Sequence, residues 1–113
     1  MKWWPKDIEK GDIIRIKLNS IYHYGIYISD DEVIQFGLPP ILNKVDQKDV
    51  KVLKTDIYTF SCDKEIEVLI LDKKEKKKSY SKEEVVNRAL SRLGDTGYNI
   101  IHNNCEHLSL IHI

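Results

Sequence analysis

The sequence has no surplus of either charge, with 18 lysines and arginines against 18 aspartates and glutamates. A protein that grips nucleic acid through its phosphates needs a basic excess, so the balance argues against nucleic acid as a partner. Cysteine is scarce, with Cys62 and Cys105 the only two. That count excludes a disulfide scaffold and fits two reduced thiols in a cytoplasmic setting. No apolar run approaches the ~18 residues of a membrane span. Met1–Lys10 has no apolar stretch of the kind a secretory signal requires. Internal repeats and linker-like stretches are also missing. What remains is a chain of 113 residues, 42% hydrophobic and 32% charged. That is the composition of one soluble globular domain, residues 1–113, with a modest core.

Hydrophobic residues recur first with the period of strands and then with that of a helix, which predicts an α+β fold. Met1–Gly11 reads as an irregular or short helical lead-in, with Trp3 and Trp4 either a membrane-facing pair or aromatics of the core. Over Asp12–Leu18, Ile14, Ile16 and Leu18 alternate with Arg15 and Lys17, the pattern of a half-buried strand. Ile21–Ser29 is aromatic and β-branched, a central strand, and Glu32–Phe36 returns as its partner. Gly37–Pro40 cannot continue a strand, because proline has no N–H to donate, so a loop is expected as far as Asp49. A short strand at Val50–Leu53 and a short helix capped by Thr55 and ending at Phe60 follow. Glu65–Leu71 is a further strand, with Ile66, Val68 and Ile70 on one face.

Asp72–Lys78 reads as a charged loop, either simply solvated or a polybasic patch for lipid. Ser81–Leu93 is the clearest helix. Ser81 and Glu84 are spaced as a capping box, and Val85, Val86, Ala89, Leu90 and Leu93 form an apolar stripe that Gly94 ends. Tyr98–His102 is expected to be extended, and Asn103-Asn104-Cys105 to open a last helix.

Cys105 is the first candidate for chemistry. In the first turn of a helix a thiol lies near unpaired N–H groups and the positive dipole end, which favour the thiolate. The alternative is a buried, inert cysteine, which is also the reading for Cys62. A thiolate needs a base, and His23 sits on a β-rich strand, with Gly25 two residues on and on the same face leaving that face open. A third polar group should orient the imidazole, and Gln35 is the candidate. If Ser29-Asp30-Asp31 is a three-residue loop with Asp31 left-handed, Gly25 lies opposite Gln35, and His23 is diagonal to it. A two-residue Asp30-Asp31 loop would put Gln35 opposite Ile26, on the other face. His107 lies about 200° around a helix from Cys105 and reads as a packing residue. His102, Cys105 and His107 as metal ligands are the remaining alternative, but they lack a fourth well-spaced ligand.

GDIIRIKL, YHYGIYISDDEVIQFG, and the Ser81–Gly94 helix followed by GYNIIHNNCEHL together resemble the lecithin:retinol acyltransferase-like (LRAT) family. That family is a circularly permuted branch of the NlpC-type papain-like superfamily. The likeness runs from about Lys10 to Leu108. It implies an antiparallel sheet packed against helices, with Cys105 as nucleophile and His23 as general base. The activity it implies is acyl transfer or hydrolysis through a cysteine thioester on phospholipid-like acyl donors, of the phospholipase A1/A2 or N-acyltransferase type. No cofactor is called for, and the expected location is cytoplasmic with peripheral membrane contact. Two positions depart from the family: Gln35 stands where a histidine is usual, and Leu108 where a phenylalanine is.

Leu108–Ile113 (LSLIHI) is also the in-frame translation of CTGTCTCTTATACACATC, a transposon adapter end used in sequencing libraries. The expectation is that the native gene runs past this point and that the last helix is cut short. A natural stop codon after Ile113, on resequencing the locus, would remove that expectation. Two other functions are alternatives, the first of them using the same residues. One is a cysteine peptidase or amidase with a different groove. The other is a binding module whose site has decayed, which Gln35 motivates. Nothing in the sequence sets an oligomeric state.

Overall fold

The computed structural model describes residues 1–18, 21–36 and 52–94. It is an α+β structure with strands β1 (Lys2–Trp4), β2 (Ile13–Leu18), β3 (Ile21–Ser29), β4 (Glu32–Phe36), β5 (Val52–Thr55) and β6 (Glu67–Ile70). The helices are α1 (Ile57–Ser61), α2 (Lys73–Lys78) and α3 (Lys82–Ser91). The strands form one sheet in the order β1-β6-β2-β3-β4-β5, every neighbouring pair antiparallel.

The alternation of β2 decides how the two faces are filled, because successive side chains of a strand point to opposite sides. Ile14 and Ile16 face one way and join Val33, Val68 and, from α1, Ile57 and Phe60. Ile13 faces the other way and joins Ile26, Ile34, Val52 and Leu69 against Val85, Val86 and Ala89 of α3. Each fully buried aliphatic or aromatic side chain here contributes roughly 1.5–3 kcal/mol, so both faces are needed to hold so small a sheet.

Two backbone contacts fix α3. Gly11 has φ +90°, and a Cβ there would lie 2.5 Å from Lys82 Cβ. Only glycine lets the start of α3 come this close to the approach to β2. Lys82 Nζ then reaches Glu9 Oε2 at 2.6 Å and the buried Asp12 Oδ1 at 3.1 Å. At the far end the Gly94 N–H donates to Val52 O at 3.0 Å, tying the end of the helix to the edge strand β5.

Several expectations are corrected. The lead-in is not helical: Lys2–Trp4 pairs with β6, Trp3 opposite Leu69. The cap of α1 is Asp56, whose Oδ1 accepts the Thr59 N–H at 2.7 Å, while Thr55 belongs to β5. Asp72–Lys78 is not a loop, since Asp72 and Glu75 form a reciprocal capping box that opens α2. In α3, Ser81 Oγ accepts the Glu84 N–H at 3.2 Å, and Val85, Val86 and Ala89 are buried, but Leu90 and Leu93 lie outside the seam and are exposed. Cys62 is not buried. It closes α1 in a left-handed conformation with φ 50°, and its thiol donates to Thr59 O.

Candidate active site

His23 and Gln35 come together through the β3–β4 register. Gly25 pairs with Gln35, Ile26 with Ile34 and Tyr27 with Val33, so His23 is the diagonal neighbour of Gln35 on the same face. The route differs from the expected three-residue loop. Ser29 pairs with Glu32, so the turn is the two residues Asp30-Asp31, and the register shifts between Tyr27 and Ser29. Ile28 is the extra residue of a β-bulge, which restores the alternation that a two-residue turn alone would invert. Asp31 is therefore not left-handed, as Cys62 and Asp63 are the described non-glycine residues with positive φ.

His23 and Gln35 are both buried, 4% and 5% exposed, and buried polar groups must find partners. They find each other: His23 Nε2 lies 3.1 Å from Gln35 Oε1. A carboxamide oxygen only accepts, so this bond places the ring proton on Nε2 and leaves Nδ1 as the basic nitrogen. Burial pushes the imidazole below its ordinary pKa and outweighs the bond to Gln35, which acts in the opposite direction. The ring is therefore neutral near pH 7, the form that can accept a proton.

Phe60 is the part that sequence reasoning missed. Its ring stacks on the imidazole with centroids 5.1 Å apart and planes at 29°. Gly25 had been expected to leave this face open, but a Cβ there would lie 2.8 Å from Phe60 Cε2. Glycine makes room for Phe60 rather than for a ligand. The helix that carries Phe60 is anchored beside the same hairpin, because the Ile57 N–H donates to Asp30 O at 2.9 Å. The missing side chain at Gly25 was the available signal, since a glycine inside a strand often marks a close approach.

Cys105, the expected nucleophile, lies outside the described residues, as do His102, His107, the expected last helix and Leu108–Ile113. A cavity of about 300 Å³ does lie elsewhere, lined by Ile13, Leu69, Leu71, Tyr80, Lys82 and Val85 among others. Its apolar walls belong to the α3 side of the sheet, away from His23.

The geometry can now be set beside known proteins. The family profile described as lecithin retinol acyltransferase matches residues 6–111. The chain is 32% identical over 117 residues to a Bos taurus protein named lecithin retinol acyltransferase, covering 87% of this chain and 51% of that protein. Proteins of the same name from Rattus norvegicus and Homo sapiens are 33% and 31% identical, with the same coverage. The chain thus spans about half the length of the curated relatives it matches.

Proposed function

The chain belongs to the lecithin retinol acyltransferase family, and from that premise we propose that it transfers acyl groups through a thioester on Cys105, with His23 as general base and Gln35 as its orienting partner. The observation that carries this reading is the buried His23–Gln35 pair, with Nε2 3.1 Å from Oε1. Such a pair leaves Nδ1 to take the proton of a thiol.

The chain length is compatible with that meeting. Gly94 is tied to β5, and ten residues, 95–104, separate it from Cys105. Extended, ten residues span roughly 33–36 Å, whereas β5 and β3 are two strand spacings, about 10 Å, apart. Because α3 covers the face opposite His23, Cys105 must cross the sheet edge to reach the imidazole. In this reading the histidine strand precedes the cysteine in the sequence, the order expected of a permuted papain-like arrangement.

The reaction runs as follows. Nδ1 takes the Sγ proton of Cys105 as sulfur attacks the ester carbonyl of a lipid-type acyl donor. The oxyanion is stabilised by donors that include the Cys105 N–H. The imidazolium returns the proton to the departing alkoxide, which leaves the thioester. An alcohol, amine or water then gives its proton to Nδ1 and attacks the thioester carbonyl, and the thiol is regenerated. A neutral glutamine stabilises the imidazolium less than a charged partner does. Burial lowers the pKa of His23, which favours the neutral imidazole as the proton acceptor. The relatives' name speaks of lecithin and retinol. For this chain the proposal extends to phospholipid-type acyl donors, with water, an amine or an alcohol as acceptor.

The test is the intact mass of the protein after incubation with phosphatidylcholine. A single acyl adduct on Cys105, absent from Cys105→Ser, is expected. No adduct with lipid, together with acylation by an activated peptide ester, would move the assignment to a peptidase or amidase.

A further inference from the structure

The cavity on the α3 side takes no part in the proposed chemistry, and its lining has two parts. One part is apolar: Ile13, Leu69 and Val85 are buried core residues, while Leu71 and Tyr80 are only partly buried against that core. The other part is cationic: Lys76 of α2 and Lys82 of α3, both exposed, mark the mouth. The cavity volume of about 300 Å³ stands at the lower end of small-molecule sites, which occupy roughly 300–1,000 Å³.

The walls are held from several sides. The start of α3 is pressed against Gly11. The Tyr80 ring carries the Arg88 guanidinium 4.2 Å from its centroid. On α2, Glu75 is fastened to the Met1 amine at 2.6 Å. Such a frame needs little ordering when a ligand enters.

The charges of the lining are unequal. Asp12 is its one carboxylate, and both oxygens are engaged: Oδ2 accepts the Glu9 N–H at 2.8 Å and Oδ1 meets Lys82 Nζ at 3.1 Å. Lys82 Nζ also donates to Glu9 Oε2 at 2.6 Å. An ammonium has three donors, so Lys82 keeps one for another acceptor. Lys76 forms no ion pair with a described residue. Beside the cavity, Asp72–Lys78 holds five lysines against Asp72 and Glu75, a net +3 in a chain whose total is zero. Like charges at i, i+3 and i, i+4 destabilise a helix, and an anion beside Lys76 would relieve that repulsion.

We propose that this cavity binds a small monocarboxylate with an apolar body. The carboxylate meets Lys76 and the remaining donor of Lys82, and the body lies against Leu69, Leu71 and Tyr80. An amphipathic cation would have the same apolar contacts but the wrong charge at the mouth. The proposal does not rest on the acyl-transfer reading, because the cavity lies on the opposite face of the sheet from His23 and uses none of that site's residues.

The experiment is an NMR titration of the full chain with octanoate, naphthoate and octylammonium. The two acids separate an alkyl from an aryl body, and binding of either supports the proposal. Saturable amide shifts are expected at Leu69, Leu71, Tyr80 and Lys82, larger than at His23 and Gln35. Octylammonium should bind several-fold more weakly than octanoate. Lys76→Gln should weaken carboxylate binding about two- to fivefold, and Lys76→Arg should retain it. Leu71→Trp fills the cavity and should abolish binding; if that variant does not fold, the Lys76 pair decides. Three results overturn the proposal: no saturable shift with either acid, octylammonium binding as tightly as octanoate, or equal affinity in the glutamine and arginine variants. Undiminished binding by a folded Leu71→Trp does so too.

Discussion

The two faces of the sheet solve the same burial problem in different ways. On the α3 side, Ile13, Ile26, Ile34, Val52 and Leu69 meet Val85, Val86 and Ala89, an aliphatic seam under a ten-residue helix. On the α1 side a five-residue helix covers Ile14, Ile16, Val33 and Val68, and a histidine and a glutamine lie buried in the same layer. The buried residues of the α3 side are all aliphatic. The α1 side accepts two polar groups because they satisfy each other at 3.1 Å and because Phe60 covers the ring. The contrast shows how a small domain buries an imidazole: it uses the face with the shorter helix and pairs the polar atoms across two strands.

The largest expected effect tests this division directly. His23→Ala should lower the rate of Cys105 acylation by about 10²–10⁴-fold. Val86→Ala, on the opposite face, should cost about 2 kcal/mol of stability and leave that rate near wild type wherever the protein is folded. Acylation by phosphatidylcholine monitored by mass, alongside urea unfolding, separates the two. Equal loss of rate in both variants would mean that the faces do not divide the work.

The α3 side was the easier to read from sequence, and the reason is local. Val85, Val86 and Ala89 recur with helical period behind a serine cap, and all of those determinants lie within ten residues. The hairpin was legible for a similar reason, since alternation alone put His23 and Gln35 on one face. The bulge at Ile28 was not, because a two-residue turn with a bulge and a three-residue loop produce the same pairing beyond Val33. Lys2–Trp4 was misread because three residues carry no period, and their partner β6 lies more than sixty residues away. The α2 helix was misread for lack of an apolar face, although Asp72 and Glu75 held the spacing of a capping box. Phe60 over His23 joins residues 37 positions apart by packing alone, and no local pattern encodes that.

Phe60→Ala sharpens the comparison next. Removing a ring that is 1% exposed should cost about 3–5 kcal/mol. It also admits water beside His23, so the imidazole pKa should climb back toward its ordinary value, which NMR titration of the ring would show. A stability loss with an unmoved titration would mean that Phe60 packs without shielding the base.

Gly25→Ala is the milder version of the same disturbance. The new methyl group meets Phe60 Cε2 at 2.8 Å, Val33 Cγ1 at 3.1 Å and Ile34 O at 3.2 Å. The backbone oxygen cannot give way easily, so a cost of roughly 1–3 kcal/mol is expected. Pairing it with Phe60→Leu should recover part of the loss, since the two residues touch. Full additivity in urea unfolding would argue that the clash is relieved elsewhere.

The smallest effect concerns pH, and it distinguishes the faces by the shape of a curve rather than its height. Burial lowers the pKa of His23 in the folded protein, so the unfolded chain binds its proton first as pH falls. More protons on the unfolded state means that stability rises with pH. The contribution of His23 is therefore complete above the ordinary imidazole value of 6.5, declines as pH drops below it, and levels off beneath the folded-state pKa. His23→Asn removes this dependence while keeping a polar partner for Gln35. His102, His107 and His112 are common to both proteins, so the difference between the two curves isolates position 23. Urea midpoints from pH 8 to pH 5 should thus fall more steeply for wild type than for His23→Asn, whereas Val86→Ala should run below wild type and parallel to it. Parallel curves for wild type and His23→Asn would mean that the imidazole is as well solvated folded as unfolded, and the α1 side would then have no dry base to offer.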